Sequence, residues 1–277
     1  MHVVQCVRSD RDKCFSYARK CSQSPIFKDY KLHAHKGFEV FIFLRGKAHF
    51  IIEGNTYHIR PYDMLIIRND ELHQVMHEGS NVYDRIVLHI TDKFFEKFHC
   101  AQYKKAFLDR QLGKGNLISA QNVKSSGMDM LLNRIEHYIA ETKKGEDMVV
   151  GCAIVALLHT INHINTLDGE IEARNDNIKE IIQYINNNIA SPLTLDEIAE
   201  KFYISKYHLC RIFKESTGFT VGNYIINKRI LLTQELYRSG KKLSYACYEA
   251  GFGSYSNFYK AYVKVMGVSP QKSMLTQ

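Results

Sequence analysis

The chain has 277 residues, of which 45% are hydrophobic, so its length suits two domains and its composition excludes global disorder. Its seven cysteines form no Cys-x-x-Cys pair, and this usage indicates free thiols in a reducing compartment. The longest apolar run, at 148–158, is too short to cross a bilayer, and the N-terminal residues lack the apolar core of a signal peptide. We therefore expect a cytoplasmic protein with no membrane partner.

The net charge of +8 is concentrated at one end of the chain. Residues 201–277 contain 12 Lys and Arg against three Glu, whereas residues 1–200 contain 25 basic and 26 acidic residues. A basic balance confined to one region predicts a polyanionic partner, most commonly a nucleic acid.

Strand-like runs follow a polar lead-in and extend from residue 30 to residue 89. They are rich in aromatic and β-branched residues, and they lie at 38–44, 49–52, 64–67, 74–76 and 83–89. Turn residues such as Gly46, Gly54 and Pro61 separate them. Short strands with turns at this spacing predict an all-β barrel or sandwich.

A string of histidines and one glutamate lies at the start of this region. It resembles the two sequence motifs of the cupin barrel at His33, His35, Glu39, Gly46 and His73. Tyr62 stands in the turn where the cupin motif has glycine, and Phe27, Arg68 and Asp70 also depart from the motifs. The resemblance implies a barrel whose pocket is lined by the polar groups of His33, His35, Glu39 and His73.

In cupin enzymes these three histidines and the glutamate bind a metal ion, and their side chains suit zinc, iron, manganese or nickel. His33 and His35 would lie on one face of a strand, where they could share an ion. The residues alone leave two hypotheses open for this pocket: a metal site formed by His33, His35, Glu39 and His73, or polar groups that bind an organic ligand without metal.

The pattern becomes helical from residue 91 onwards. A helix predicted over 125–142 carries an apolar stripe at three- and four-residue spacing, formed by Met128, Leu131, Leu132, Ile135 and Ile139. The stripe could pack against the barrel or against a second copy of the chain. A polar stretch at 166–175 is then typical of a linker.

One pattern occurs twice between residues 193 and 270, at an offset of 49 positions. The offset aligns Ser205 with Ser254, Leu209 with Phe258, Phe213 with Tyr262, and Gly218 with Gly267. A fixed-offset repeat indicates that one supersecondary unit was used twice. We predict two short helices joined by a turn in each unit.

Local signals place the ends of these helices. Thr194 and Ser244 are predicted to cap the first helix of each unit, and Ser205 and Ser254 the second. A long helix over 221–239, capped by Thr220 and stopped by glycine, joins the units.

The second helix of each unit has an apolar face and a polar face. The polar face in the first unit is aromatic and basic and carries no carboxylate, as suits a helix that enters a DNA major groove. Candidate base contacts are Tyr207, Cys210, Arg211, Tyr255, Ser256, Tyr259 and Lys260. Candidate phosphate contacts, which position the protein without reading sequence, are Lys206, His208, Lys214 and Lys264.

These elements resemble the paired helix-turn-helix domain of the AraC/XylS family of transcription regulators. The resemblance rests on Ser205-x3-Leu209-x-Arg211-x-Phe213-Lys214-x3-Gly218, Tyr224-x4-Arg229, Gly251-Phe252-x-Ser254-x3-Phe258 and Gly267-x-Ser269-Pro270. Thr233, Ala246, Cys247 and Val263 depart from the usual residues of the family.

The resemblance implies a bacterial homodimer, usually an activator that works with RNA polymerase, whose cupin-like domain binds a small effector such as a sugar. It also favours a subunit contact through the 125–142 helix. Because the family's barrels usually hold an organic effector without metal, we expect no cofactor.

We therefore predict an α+β protein of two domains. These are a cupin-like β-barrel with following helices at 1–165, for effector binding and dimerisation, a linker at 166–175, and an all-α double helix-turn-helix domain at 176–277. The predicted function is sequence-specific binding of double-stranded DNA under effector control, without enzymatic activity. The alternatives are a metal-dependent cupin enzyme with an accessory nucleic-acid-binding tail, and a regulator controlled by oxidation of Cys6, Cys14 or Cys21.

Overall fold

The computed structural model describes residues 2–23, 33–35, 37–69, 71–77, 82–142, 147–164, 176–217, 219–266 and 269–271. The chain divides into two compact units, Met1–Glu172 and Ala173–Gln277. The linker predicted at 166–175 lies outside the described residues, as do Phe27, Asp70, Gly218 and Gly267.

The first unit is built on two antiparallel sheets. Its strands are β1 (His2–Ser9), β2 (Phe15–Ser22), β3 (Phe38–Arg45), β4 (Ala48–Ile52), β5 (Asn55–His58), β6 (Met64–Ile67), β7 (His73–His77), β8 (Tyr83–Ile90) and β9 (Leu117–Ile118). The larger sheet has the order β1-β2-β8-β3-β6-β9, and the smaller has the order β5-β4-β7. The predicted α+β class with an N-terminal β domain is confirmed.

The strands β1 and β2 occupy the stretch that we predicted as a polar lead-in. β2 pairs with β8 along its full length, from Phe15 opposite Ile90 to Ser22 opposite Tyr83. The backbone hydrogen bonds of a ladder do not depend on side-chain type, so a strand with several polar residues is held there.

The strand β3 has both faces buried because it lies between two hydrophobic cores. Successive side chains of a strand point to opposite faces, so Phe41 and Phe43 pack between the sheets while Val40 and Ile42 pack towards the helices. Large side chains fill the core between the sheets, including Phe41, Phe43, Phe50, Tyr57, Leu65, Ile67 and Tyr83.

Helices cover the outer face of the larger sheet. They are α1 (Asp92–Lys97), a 3-10 turn (Ala101–Lys104), α2 (Lys105–Leu108), α3 (Ala120–Ser125), α4 (Met128–Glu141) and α5 (Asp147–His163). Among the described residues, no helix is long and apolar enough to cross a membrane.

The apolar stripe of α4 is buried inside its own unit. Met128, Leu132, Ile135 and Ile139 are buried and Leu131 is partly buried, all in the core that α4 shares with α5 and the sheet. This corrects our prediction that the five side chains face a partner chain. An apolar stripe shows that a helix face is covered, but not which body covers it.

The second unit is helical. It contains α6 (Asp176–Asn187), α7 (Leu195–Lys201), α8 (Lys206–Thr217), α9 (Val221–Arg238), α10 (Leu243–Glu249) and α11 (Tyr255–Met266). The helices α9, α10 and α11 share a core of Ile230, Cys247, Ala250, Phe252, Phe258 and Tyr262.

Candidate nucleic-acid interface and histidine cluster

Each repeated unit has two helices joined by a tight turn. In the first, Thr194 and Glu197 form a reciprocal capping box at the start of α7. In the second, α10 begins after Lys242, so the predicted cap Ser244 lies inside the helix. Gly251 follows α10 with a φ of 90°, and a Cβ there would lie 2.9 Å from the carbonyl oxygen of Ile189, so the turn requires glycine.

Matching serines cap the two outer helices. The backbone N–H of His208 donates to Ser205 Oγ at 3.1 Å, and that of Asn257 donates to Ser254 Oγ at 3.1 Å. The prediction of both caps is confirmed. Since each cap fixes the first turn of its helix, α8 and α11 begin at equivalent points of the repeat.

The long helix α9 is tied to the end of α6. The hydroxyl of Tyr224 donates to Asn186 Oδ1 at 3.0 Å. The guanidinium of Arg229 donates to the carbonyl oxygens of Ile189 at 3.0 Å and Ser191 at 2.8 Å. These bonds give the spaced pair Tyr224 and Arg229 a structural role in fixing the helix that separates α8 and α11.

The outer face of α8 is exposed but carries a carboxylate that our prediction left out. Tyr207 is 79% exposed, and Arg211 and Lys214 are exposed. Arg211 Nη1 lies 3.1 Å from Glu215 Oε2, one turn along the same helix. The face is therefore aromatic and basic with one internal ion pair.

Three other predicted residues, Lys206, His208 and Cys210, lie on α8. Lys206 Nζ forms an exposed ion pair with Asp196 at 2.9 Å, while His208 and Cys210 are half-buried.

Tyr203, in the turn before α8, is 96% exposed with a φ of 54°. Helical periodicity gives no signal for a turn residue, so the sequence prediction missed this side chain.

The outer face of α11 presents Ser256, Tyr259, Lys260 and Lys264 to solvent. Tyr255 differs from the prediction because it is half-buried, with its ring centroid 5.8 Å from that of Phe258. Burial raises the pKa of the Tyr255 hydroxyl. We therefore count Tyr255 mainly as part of the packing below the face.

The barrel histidines converge on one carboxylate. Glu39 Oε2 lies 2.5 Å from His35 Nε2 and 3.9 Å from His73 Nε2. His33 pairs with His73 through its backbone, and their ring centroids are 4.3 Å apart. The structure thus brings the four predicted pocket residues together at one end of the space between the sheets.

A fourth histidine, which the sequence prediction missed, completes the histidine cluster. His89 on β8 lies directly opposite Glu39 on β3, and its Nε2 is 2.9 Å from Glu39 Oε2. Its position 50 residues along the chain from Glu39 matches no cupin motif. Knowledge of the β3–β8 pairing would be required to find it.

Hydrogen bonds keep the buried carboxyl group of Glu39 ionised. Burial works against ionisation, but the hydrogen bonds with His35 and His89 hold the pKa of this carboxyl well below its usual range. The cluster therefore contains a buried carboxylate that accepts from two imidazoles.

His73 has the geometry of a metal ligand. Its Nδ1 lies 2.8 Å from the carbonyl oxygen of Glu71, which can only accept, so Nδ1 carries the proton. Its Nε2 is buried and has no hydrogen-bond partner among the described residues. Burial holds the pKa of His73 well below its ordinary value, so the ring is neutral, as a metal ligand must be.

Ligand atoms of His33, His35 and His73 lie within 4.8 Å of one another, as do those of His35, Glu39 and His89. Neutral imidazoles beside a carboxylate suit a divalent transition metal. The donor set therefore fits a metal ion as well as a polar organic ligand.

Comparisons with known proteins identify both units. A helix-turn-helix domain model matches residues 198–274, and an AraC-like ligand binding domain model matches residues 22–105. The multiple antibiotic resistance protein MarA of Escherichia coli is 32% identical over 100 residues, which are 36% of this chain and 79% of MarA. The transcriptional activator AarP of Providencia stuartii is 32% identical over 94 residues, which are 34% of this chain and 70% of AarP.

Among solved structures, that of apo ToxT from Vibrio cholerae is 16% identical to the chain. The match covers 97% of this chain and 99% of ToxT, with a TM-score of 0.40. The paired helix-turn-helix units, the sheet domain ahead of them and the matches to MarA and to both domain models agree. The chain belongs to the AraC/XylS family of DNA-binding transcription regulators, with an AraC-like ligand-binding domain as its N-terminal unit.

Proposed function

We propose that the protein is a homodimeric cytoplasmic activator that reads two adjacent major-groove segments of double-stranded DNA through α8 and α11. The observation that carries the proposal is the matched pair of serine-capped helices with exposed polar faces, in the region that holds the excess positive charge. The name of AarP as a transcriptional activator supports activation, for which RNA polymerase is the partner.

The exposed side chains divide by their chemistry. Arg211 has the planar fork that pairs with guanine O6 and N7, while Tyr207 and Tyr259 suit thymine methyl groups and the sugar edge. Ser256 and Lys260 provide further base contacts from α11, and Cys210 a minor one from α8. The candidate phosphate contacts are Lys206, His208, Lys214 and Lys264.

The length of α9 supports a single long site. Its 18 residues extend over about 27 Å at about 1.5 Å per residue, and neighbouring major-groove turns lie about 34 Å apart. One protomer should then cover about 15–20 base pairs with two readout blocks about one helical turn apart.

Selection of binding sites from random double-stranded DNA by the full-length protein tests this function. The expected product is an enriched site with two conserved blocks separated by about one turn. Recovery of unenriched DNA, or of a single block of a few base pairs, would contradict it.

The effector is proposed to be a small molecule that contacts His33, His35, Glu39 and His73, to which we add His89. The space between the sheets beyond this cluster is occupied by aromatic side chains such as Phe41 and Phe50. This packing favours an effector that binds at the polar end of the barrel rather than deep inside it.

Metal binding is a second candidate, favoured by the buried and unpartnered Nε2 of His73. His33, His35 and His73 would hold the ion, with Glu39 and His89 beside it, and the ion would supply a Lewis acid. We do not propose catalysis, because an enzymatic activity would not account for the DNA-binding unit.

Metal analysis of untagged protein separates metal binding from binding of a metal-free organic ligand. A stoichiometric metal that is lost in His73→Gln would support the metal site, and metal-free protein would exclude it.

Control by thiol oxidation is the weaker alternative. Cys14 is buried and Cys21 is half-buried, and the side chain of Cys6 lies outside the described residues. Burial raises the pKa of the Cys14 thiol, which lowers its reactivity at neutral pH. Equal DNA affinity of oxidised and reduced protein would exclude this control.

A further inference from the structure

A cleft opens between the outer face of the larger sheet and the helix α4. Its volume is about 600 Å³, within the range of small-molecule pockets. The sheet contributes Arg19, Ile42, Leu44, Arg45, Asp84 and Ile86, and the helical side contributes Ala120, Val123, Lys124, Asp129, Leu132, Asn133 and Glu136, with Tyr62 at a turn.

The cleft is separate from the histidine cluster. Ile42 lines the cleft and Glu39 belongs to the cluster, three residues apart on β3. Because neighbouring strand residues alternate between faces, these two side chains lie on opposite sides of the sheet. A ligand in the cleft would therefore occupy a different site from a ligand of the barrel.

Charged groups inside the cleft are incompletely paired. Asp84 Oδ1, Asp129 Oδ1 and Arg19 Nε are buried and have no hydrogen-bond partner among the described residues. Buried polar atoms without partners are uncommon in folded proteins, because an unmade hydrogen bond is unfavourable. Three of them in one cleft indicate a site whose hydrogen bonding is completed by another molecule.

The unpartnered atoms indicate the chemistry of that molecule. Arg19 is already engaged at 3.3 Å by Glu136 and at 3.5 Å by Asp84, while Arg45 and Lys124 are exposed. The lining as a whole holds three carboxylates, Asp84, Asp129 and Glu136, and three basic groups, so its net charge is balanced. Two of the three unpartnered atoms are carboxylate oxygens. Because an ionised carboxylate only accepts hydrogen bonds, these oxygens require a donor, and a protonated amine provides one with the opposite charge.

The remaining wall is apolar. Ile42, Ile86, Val123 and Leu132 line the cleft beside the carboxylates. Such a surface suits the hydrocarbon part of a ligand whose charged head lies between Asp84 and Asp129. We propose that the cleft binds a small primary amine with an apolar body.

The proposal is tested on the full-length protein by thermal unfolding and titration calorimetry with three probes: 1-aminohexane, 1-hexanol and xylose. Asp129→Asn and Asp84→Asn remove one charge each with little change of shape. Glu141→Gln, on the exposed side of α4 outside the cleft, is the matched control. The measurements use no DNA, so they are independent of the proposed regulatory function.

We expect 1-aminohexane to bind the wild type and the Glu141 variant equally and to raise their unfolding temperatures. Each aspartate variant should bind it about tenfold more weakly or worse, and the two neutral probes should not bind. Four results would overturn the proposal: no binding of the amine to wild type, equal binding of amine and alcohol, unchanged amine affinity in both aspartate variants, or preferential binding of xylose.

Discussion

Arg211 and Glu215 face each other across one turn of α8, with Nη1 and Oε2 3.1 Å apart and both side chains exposed. An exposed i,i+4 pair of this kind contributes only about 0.3–0.5 kcal/mol. The guanidinium is therefore easily released to DNA. Glu215 has a second effect on binding. Its carboxylate lies on the helix that is proposed to enter the groove, so it would repel the DNA phosphates.

Replacement of Glu215 by Gln should tighten DNA binding. The change frees Arg211 and removes one negative charge from the recognition face, so we expect a several-fold gain in affinity that shrinks as salt rises. Fluorescence anisotropy with the selected site at several salt concentrations measures it. Glu180→Gln, an exposed position on α6, is the charge-matched control. Equal gains in both variants would show a general charge effect and contradict the role of the pair.

The helix α4 allows its buried and exposed faces to be tested separately. Ile135→Asp would place an unpaired charge in the core of the N-terminal unit, whereas Met130 is 69% exposed. We expect Ile135→Asp to lower the free energy of unfolding by several kcal/mol and Met130→Asp to leave it nearly unchanged. Denaturant unfolding followed by circular dichroism measures both. A folded Ile135→Asp variant of full stability would contradict the burial of this stripe.

The Met130→Asp variant also tests the proposed homodimer. Sedimentation of Met130→Asp at micromolar concentration tests whether the exposed face of α4 contributes to the subunit contact. A monomer would support that face, and an unchanged dimer would place the contact elsewhere.

Signals close in sequence were predictable, and pairings distant in sequence were not. The Ser205 and Ser254 caps depend on contacts three residues apart, so sequence alone located them. His89 enters the histidine cluster only because β8 pairs with β3, and no local pattern encodes that pairing. The α4 stripe is an intermediate case. Its periodicity predicted that the stripe is buried, but not whether its own unit or a second copy of the chain covers it.

A buried ion pair that the sequence did not indicate holds the loop beside His73. Arg110 Nη2 lies 2.7 Å from Glu71 Oε2, and Glu71 also accepts from the Gly113 N–H at 2.7 Å and from Asn116 Nδ2 at 3.0 Å. Burial opposes ionisation of Glu71, but the hydrogen bond from Arg110 holds the pKa of this carboxyl below its usual value. The backbone oxygen of the same residue fixes His73.

Arg110→Met should therefore destabilise the N-terminal unit by about 3–5 kcal/mol, because it leaves a buried carboxylate unpaired. The double variant Arg110→Met with Glu71→Gln should recover part of that loss, since no buried charge remains. Chemical unfolding of the three proteins measures the difference. Equal stability of the single and double variants would contradict the burial of a charged Glu71.

Arg211 and Lys264 are proposed to contact DNA in different ways, Arg211 at a base and Lys264 at a phosphate. Arg211→Ala should cost about 1–3 kcal/mol on the best site and relax base preference in the block read by α8 alone, because a bidentate contact to guanine distinguishes bases. Lys264→Ala should weaken all sequences alike and reduce the salt-dependence slope by about one, since it removes one phosphate neutralisation. Both side chains are exposed, so neither change should unfold the domain.

Site selection and salt titration with both variants test the contrast directly. Because α8 and α11 are separated by the rigid α9, loss of readout in one block should leave the other block intact. An Arg211→Ala variant that keeps its preference in both blocks would show that α8 reads DNA through other side chains. A Lys264→Ala variant that changes preference at particular bases would show that this lysine contacts base edges in the groove rather than the phosphate backbone.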